Sequence, residues 1–466
     1  MNVASSEILW PQSPLTNLFP CRGNVMTANE ARTEEPLELK PVEKRTSITK
    51  VDAIVASVYF CNAFAITLPV ILTPMIAKAY QLSPNHLTSF CGAVASIGIM
   101  GGGLGKIING IVCQRLGGIT TASLYLLGTG WCSLLLSLST SLGSVRWLVA
   151  GMEFFSSAMW VASCLILSNH YAKEPLLFAR GITFLSLSST MAQLLAKTAG
   201  SALLQVMNWR AIARLGAALT LVGSLLTWFV LAKEVAEPRQ RHRWLSRPIS
   251  TSTTDQIKGV LKSPLFWAVG LGHIPGFIAR TCDRMLGPFI ADITSLPYQV
   301  CGSLTAVVTM GFFFGVMKGK AFFELDSVND KESQLKTWYL QAVASILGFA
   351  FLAGEQIRST LSPAVLATLV VLCSGLLSSS AAIPFFQLPN MVSTVVFKEN
   401  KAICLAFLDG IGFFLTAPLW ALSSRIVTSM GWSAAWGTLA LVFALGGTVM
   451  VRSMRPVLVK FCKEAA

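Results

Sequence analysis

His273, Arg280, Asp283 and Arg284 carry the most readable chemistry in this chain, because all four fall inside an otherwise apolar stretch, 264–290. At about 100° per residue on a helix, His273, Arg280 and Arg284 lie within about 40° of one another, and Asp283 lies about 60° from Arg280. One face therefore presents clustered cations with a single acid beside them. A charge at mid-membrane costs about 2.5 to 3.5 kcal/mol on insertion scales, so such a face turns to a bundle interior or a water-filled cavity, not to lipid. Two readings follow. Asp283 pairs with Arg280 or Arg284 and holds the bundle together, or the arginine left over grips an anion through parallel guanidinium hydrogen bonds. Gly287-Pro288 is expected to break or kink the helix and free backbone groups beside the site.

Other ionisable groups sit in apolar surroundings. Glu153 is placed either to carry a coupling proton or to partner Lys197 or an arginine. Lys197 is expected to snorkel toward the outer surface. Asp409 reads as a structural residue or as a gate partner for Lys106 or Lys401, and Asn62 as a cavity-lining group. Trp160, Trp267, Trp420 and Trp436 read as packing or interface residues. No H-E-x-x-H, P-loop or G-x-S-x-G pattern occurs, and the four histidines show no ligand spacing, so no catalytic residue, metal or cofactor is expected.

The elements that must position these groups are apolar throughout. Twelve stretches of membrane-crossing length are predicted at 51–77, 87–112, 119–138, 145–169, 179–204, 210–232, 264–290, 299–321, 338–354, 362–387, 399–424 and 432–452. Segments such as Ile119 to Leu138 and Leu215 to Val230 contain no charge. Charged residues make up 12% of the chain against about 25% in soluble domains, and mean hydropathy is +0.62. The reading is an all-α polytopic membrane protein whose main solvent is lipid.

The net charge of +14 sits between the spans rather than in a stripe, which points to membrane topology and away from nucleic acid. Alternate loops, counted with the stretch from Lys233 to Ser263, hold about twenty Lys and Arg, and the opposite set holds about five. Both termini are therefore expected in the cytosol. The expected organisation is a tail at 1–50, a six-helix bundle at 51–232, a basic linker at 233–263, a second six-helix bundle at 264–454 and a tail at 455–466. The eleven cysteines are scattered without a C-x-x-C pair and read as small apolar residues. The tail lacks the n-region and h-region of a secretory signal.

The two halves echo one another. Gly101-x-x-x-Gly105 recurs as Gly311-x-x-x-Gly315, and Asn208-Trp209-Arg210 recurs as Gly431-Trp432-Ser433. Two echoes in matching order point to an internal duplication.

Twelve spans in two halves, the central linker, the two Trp-led helix starts and the turn from Gly105 to Gly118 together resemble the major facilitator superfamily. That resemblance implies two pseudo-symmetric six-helix bundles and assigns Gly105, Lys106, Gly110 and Arg115 to gating, with Asp409 as a gate partner. Gly110 would let spans approach. Gln114 stands where the family pattern has an aspartate, and Gly118-Ile119 replaces its closing basic pair. Within the superfamily, Asn62 to Pro69, Gly105 to Gly110, Arg280 to Pro288 and Leu408 to Gly412 are similar to the organophosphate:phosphate antiporters. That likeness implies exchange of a phosphorylated solute for phosphate, although the family's first-span arginine aligns with Cys61.

The function expected is secondary transport of a small organic anion by alternating access. Arg280, Arg284, His273 and Asn62 would bind substrate, and Glu153, Asp283 and Lys197 would serve proton coupling or ion pairing. A proton-coupled carrier of another small solute is the alternative, followed by a membrane-embedded enzyme or a sensor. Expected partners are the small-molecule substrate and the bilayer, with the chain acting as a monomer.

Overall fold

The computed structural model describes residues 49–171, 175–235, 257–325, 327–397 and 400–465. The tail before Thr49 and most of the basic linker, including Arg239, Arg241, Arg243 and Arg247, lie outside the described residues, as do the side chains of Gln114 and Lys401. Everything described is helix or short connection. The first bundle contains α1 (Lys50–Ala79), α2 (Pro84–Leu116), α3 (Gly118–Leu138), α4 (Leu142–His170), α5 (Pro175–Leu203) and α6 (Trp209–Glu234). The second contains α7 (Pro264–Thr281, then Asp283–Thr294 after a turn at Cys282), α8 (Tyr298–Phe323), α9 (Val328–Leu352), α10 (Pro363–Val395), α11 (Lys401–Met430) and α12 (Trp432–Ala465).

Among the described residues, ten of these helices are long and apolar enough to cross a membrane. The two that fall short in apolarity are α5 and α7. Gln193 and Lys197 interrupt the first, and His273, Arg280, Asp283 and Arg284 the second. Outward-facing apolar side chains such as Trp147, Phe229, Leu340, Phe351, Leu372 and Leu441 are exposed on the other helices, as lipid contact requires and water would penalise. This is a multi-pass integral membrane protein.

Packing repeats between the bundles. α2 lies on α4 as α8 lies on α10, α3 on α6 as α9 on α12, and α1 on α5 and α6 as α7 on α11 and α12. The GxxxG echo has a physical cause here. A Cβ on Gly101 would stand 2.4 Å from the Ala150 carbonyl oxygen in α4, and one on Gly315 would stand 2.4 Å from the Ser379 carbonyl oxygen in α10. Only hydrogen at both positions lets the backbones approach so closely. Gly117, at φ 80°, makes the one-residue turn from α2 to α3 in a region that side chains disfavour.

Local signals fix the starts. Thr49 caps α1, accepting from the Asp52 amide at 3.2 Å while Asp52 reaches back to the Thr49 amide. Asp52 also accepts from Tyr171 at 2.9 Å and from Arg180 at 3.0 Å, so the starts of α1 and α5 are tied together.

Two sequence expectations are corrected. The stretch 318–337 is not simply loop: Gly319–Glu324 is helical and α9 begins at Val328, ten residues before the predicted 338. Lys331 is fully buried there, donating to the carbonyls of Phe322 and Phe323 at 3.0 Å each and to that of Leu325. Its charge lowers hydropathy and hides the helix. The interruption in α7 falls at Cys282, and the helix runs on through Gly287-Pro288. A proline deprives the carbonyl four residues earlier of its partner, so the disturbance it causes lies on the preceding turn, near Arg284, and not at the ring itself.

The bundles meet along two lateral seams, α2 on α11 and α5 on α8, and through the second segment of α7, Asp283–Thr294, which packs on α1 and α2. That last contact closes the end of the molecule remote from the linker. The second segments of α4 (Met159–His170) and α10 (Leu388–Val395), at the linker end, pack mainly within their own bundles.

Candidate functional site

Four polar contacts cross between the bundles near mid-depth. Lys197 on α5 meets Asp283 on α7 at 2.6 Å, and Arg284 pairs with Glu153 on α4. Arg280 donates to the Gln193 side-chain oxygen on α5 at 2.8 Å, and Lys106 on α2 meets Asp409 on α11 at 3.4 Å. Neighbouring residues on α7 point about 100° apart and so reach different helices: Asp283 turns to α5, Arg284 to α4.

Lys197 is fully buried, and its ammonium also donates to Thr309 of α8 at 2.9 Å. The expected snorkelling is therefore overturned. A lysine buried on the seam between α5 and α8 does not reach the surface, and a carboxylate compensates it there. Asp283 is consumed by Lys197 and pairs with neither arginine. Glu153 takes Arg284, the second of the partnerships expected for it.

Arg280 is left over. Among the described residues no carboxylate lies within ion-pair distance of it, and its other neighbour is the Phe312 ring, 5.7 Å from the guanidinium carbon. A hydrogen-bonded wall leads away from it toward the linker end. Gln193 donates to Ser189 one turn earlier at 3.2 Å, and Ser189 stands beside the Tyr59 hydroxyl on α1. Tyr59 in turn meets the Trp160 ring of α4 edge-on at 5.8 Å. Arg280, Gln193, Ser189, Tyr59 and Trp160 are all partly exposed although they lie deep within their helices. The far side of Arg284 is tighter. The space enclosed there by Ile66, Val70, Cys91 and Val149 is about 10 Å³, room for about one water.

Two residues expected in the site lie apart from this wall. His273 is buried in the second bundle, stacked on Phe385 at 5.3 Å and edge-on to Phe277 at 4.7 Å, with neither ring nitrogen hydrogen-bonded. It shares the helical face of Arg280 but lies two turns away, under aromatic cover. Asn62 is buried against α4, donating to Ser156 at 2.9 Å. Neither hydrogen-bonds to Arg280 or Arg284. Cys61 packs against Gly223 of α6, where an added Cβ would stand 3.2 Å from the Cys61 Cβ, so a side chain at position 61 is directed within the first bundle.

Of the residues expected at a gate, Asp409 meets Lys106, and Gly103 and Gly410 bring α2 and α11 together beside that pair. Gly105 packs under Phe154 and Ser157 of α4. A Cβ on Gly110 would meet nothing within 4 Å, so close approach of spans is not its role here. Arg115 is exposed. Residues that the sequence reading missed are Tyr59, Ser189, Gln193 and Phe312. Gln193 alone carried a visible signal, as an uncharged polar side chain four residues before Lys197 on an apolar helix.

Trp420 and Trp436 are buried in the second bundle, and Trp267 is exposed at the helix start, as packing and interface roles require. The ten described cysteines are free, and no cluster among the described residues has the make-up of a metal site.

No protein-family model matches the sequence, and no curated protein is similar to it. Solved structures are similar in fold. The nucleoside transporter NupG superposes with a TM-score of 0.67 at 12% identity, over 87% of this chain and 99% of that one. A bacterial homologue of the human lysosomal transporter Spinster, inward-facing and occupied, gives 0.57 at 15% identity, over 88% and 93%. A variant of the peptide transporter POT gives 0.63 at 12% identity, over 87% and 94%. At these identities the likeness establishes the major facilitator fold and nothing finer.

Proposed function

We propose that the protein is a secondary transporter of a small organic anion, working by alternating access between its two bundles. The observation that carries this reading is Arg280. Among the described residues, Lys106, Lys197 and Arg284 each pair with a carboxylate across the bundles, whereas Arg280 hydrogen-bonds to a neutral amide, lies on an aromatic face and has no carboxylate within ion-pair distance. A guanidinium kept in such surroundings is an anion-binding group in want of its anion. The transporters that share the fold support the class of activity. The likeness to organophosphate antiporters supports an anion as the exchanged ion, and the loop charges support a cytosolic placement of both termini.

The test is thermal stabilisation of the purified full chain by a panel of phosphorylated and carboxylated solutes, repeated with Arg280→Ala. Stabilisation of the parent and not of the variant supports the reading. An equal response in both removes Arg280 from the site. Vesicles loaded with the stabilising anion, or with phosphate, then test exchange: uptake of the labelled anion should be driven by the internal anion.

Glu153 supports a second reading, proton-coupled transport, because its carboxylate links the bundles only through Arg284 and its protonation would release that link. Under this reading Glu153→Gln abolishes accumulation driven by a pH gradient, while an exchanger retains counterflow.

A further inference from the structure

We infer that the transported anion is a monocarboxylate carrying a flat, unsaturated ring, a conclusion that rests on the anion-carrier reading and adds the charge and shape of the substrate. The argument begins with a charge count over the groups that surround the site. Arg280, Arg284 and Lys197 bring three positive charges, and Glu153 and Asp283 bring two negative ones through ion pairs that are already made. One positive charge remains. Lys106 and Asp409 cancel one another on the α2 and α11 seam, and His273 has no partner at either ring nitrogen to hold a charge.

A phosphomonoester carries about −1.5 to −2 near neutral pH. Its second charge would need Lys197 or Arg284. Lys197 is sealed between Asp283 and Thr309, and the free space beside Arg284 holds about one water. The second charge would thus find no counter-charge beside the single unpaired guanidinium, a mismatch that disfavours the dianion. A single carboxylate matches both the charge and the planar fork of one guanidinium.

The remaining surface describes the rest of the molecule. Phe312 lies under Arg280, and Tyr59 and Trp160 stand at the other end of the polar run through Gln193 and Ser189. An aromatic face under the cation and two more rings at the far end of that run favour a flat ring by stacking, beyond simple burial of area. The hydroxyls of Tyr59 and Ser189 and the amide of Gln193 offer neutral hydrogen bonds to substituents on that ring and add no charge.

Four small probes separate the terms: benzoate has ring and single charge, phenyl phosphate ring and double charge, benzamide the ring alone, acetate the charge alone. Their binding to the purified full chain is read as a shift in unfolding temperature and as an apparent Kd near neutral pH. Benzoate should bind about tenfold or more tightly than each of the other three. Glu153→Gln raises the site to two surplus positive charges and should invert the order, with phenyl phosphate overtaking benzoate. The double variant Glu153→Gln/Arg284→Gln returns to one surplus charge and should restore the preference for benzoate. It also removes the buried unpaired arginine, so the result stands even if the single variant folds poorly. Phenyl phosphate binding the parent more tightly than benzoate, in a manner abolished by Arg280→Gln, overturns the monocarboxylate and leaves the anion carrier standing. Binding of acetate equal to that of benzoate overturns the ring. Binding of none of the anions, or binding unchanged in Arg280→Gln, overturns the anion-carrier reading itself.

Discussion

Lys197 and Asp283 join the two bundles through an ion pair 2.6 Å long in which the lysine is wholly buried and the aspartate nearly so. Removing one partner leaves a charge without compensation in a dry interface. Lys197→Met and Asp283→Asn should each destabilise the chain by about 3–5 kcal/mol, whereas the double variant should recover most of that loss. Unfolding in mild detergent, read as a double-mutant cycle, measures the coupling. Additive losses would mean that the pair contributes no mutual stabilisation.

Lys106 and Asp409, at 3.4 Å and partly exposed, belong to a different class. A pair so placed contributes about 0–1 kcal/mol to folding. Its expected effect is on the balance between conformations, because it bridges α2 and α11 where the bundles meet. Asp409→Asn should leave the unfolding temperature nearly unchanged while altering transport rate, and the exchanged pair Lys106→Asp/Asp409→Lys should recover part of the rate. A variant that loses folding and rate together would make the pair a structural brace.

Much of the fold was legible because lipid imposes a simple rule, long apolar helices with every backbone group paired internally, and the duplicated glycines and tryptophans exposed the two-bundle plan. The surplus cation on α7 was legible from helical spacing. Its partners were not. Lys197 and Asp283 are separated by more than eighty positions in sequence, and nothing local distinguishes Asp283 turning to Lys197 from Asp283 turning to Arg280. What stands opposite decides it: Arg280 and Asp283 both face α5, where Gln193 meets the first and Lys197 the second. Tyr59, Ser189 and Phe312 went unnoticed because each is ordinary in a membrane helix and gains its role only from what stands opposite. The helical start of α9 was hidden for the opposite reason: Lys331 reads as loop until backbone carbonyls are seen to surround it.

Close packing of α2 on α4 makes a sharp contrast between Gly101 and Gly110, nine residues apart on one helix. Gly101→Val drives a branched side chain into the Ala150 carbonyl, and Gly315→Val does the same to Ser379 in the second bundle. Overpacking of this kind costs about 1–3 kcal/mol, and contact with rigid backbone places both at the upper end. Gly110→Ala meets open space and should be neutral or slightly stabilising. Unfolding temperatures of the three variants check the ranking, and a damaging Gly110→Ala would show that α2 is packed differently near its end.

Alternating access makes a geometrical demand on the linker end, where the second segments of α4 and α10 belong to different bundles. Val161 and Asn390 are exposed on those segments and suit spin labels in a background without other reactive cysteines. Addition of benzoate should shift the distance distribution between labels at these two positions toward shorter values, as the bundles close over Arg280. An unchanged distribution with bound ligand would mean that the linker end does not move, and the rocking scheme would fail.

His273 tests the limit of reading function from a helical wheel. It shares a face with Arg280, yet its imidazole is buried between Phe277 and Phe385 with two polar nitrogens and no hydrogen-bond partner. A buried polar group left in that state costs about 1–3 kcal/mol, and an apolar replacement of similar size removes the cost. His273→Leu should therefore raise the unfolding temperature and leave anion binding unaltered. The matched measurement is the apparent Kd for benzoate in parent and variant. Loss of binding in a variant that still folds would return His273 to the substrate path, because removal of a merely unsatisfied core histidine has no reason to weaken a contact two turns away.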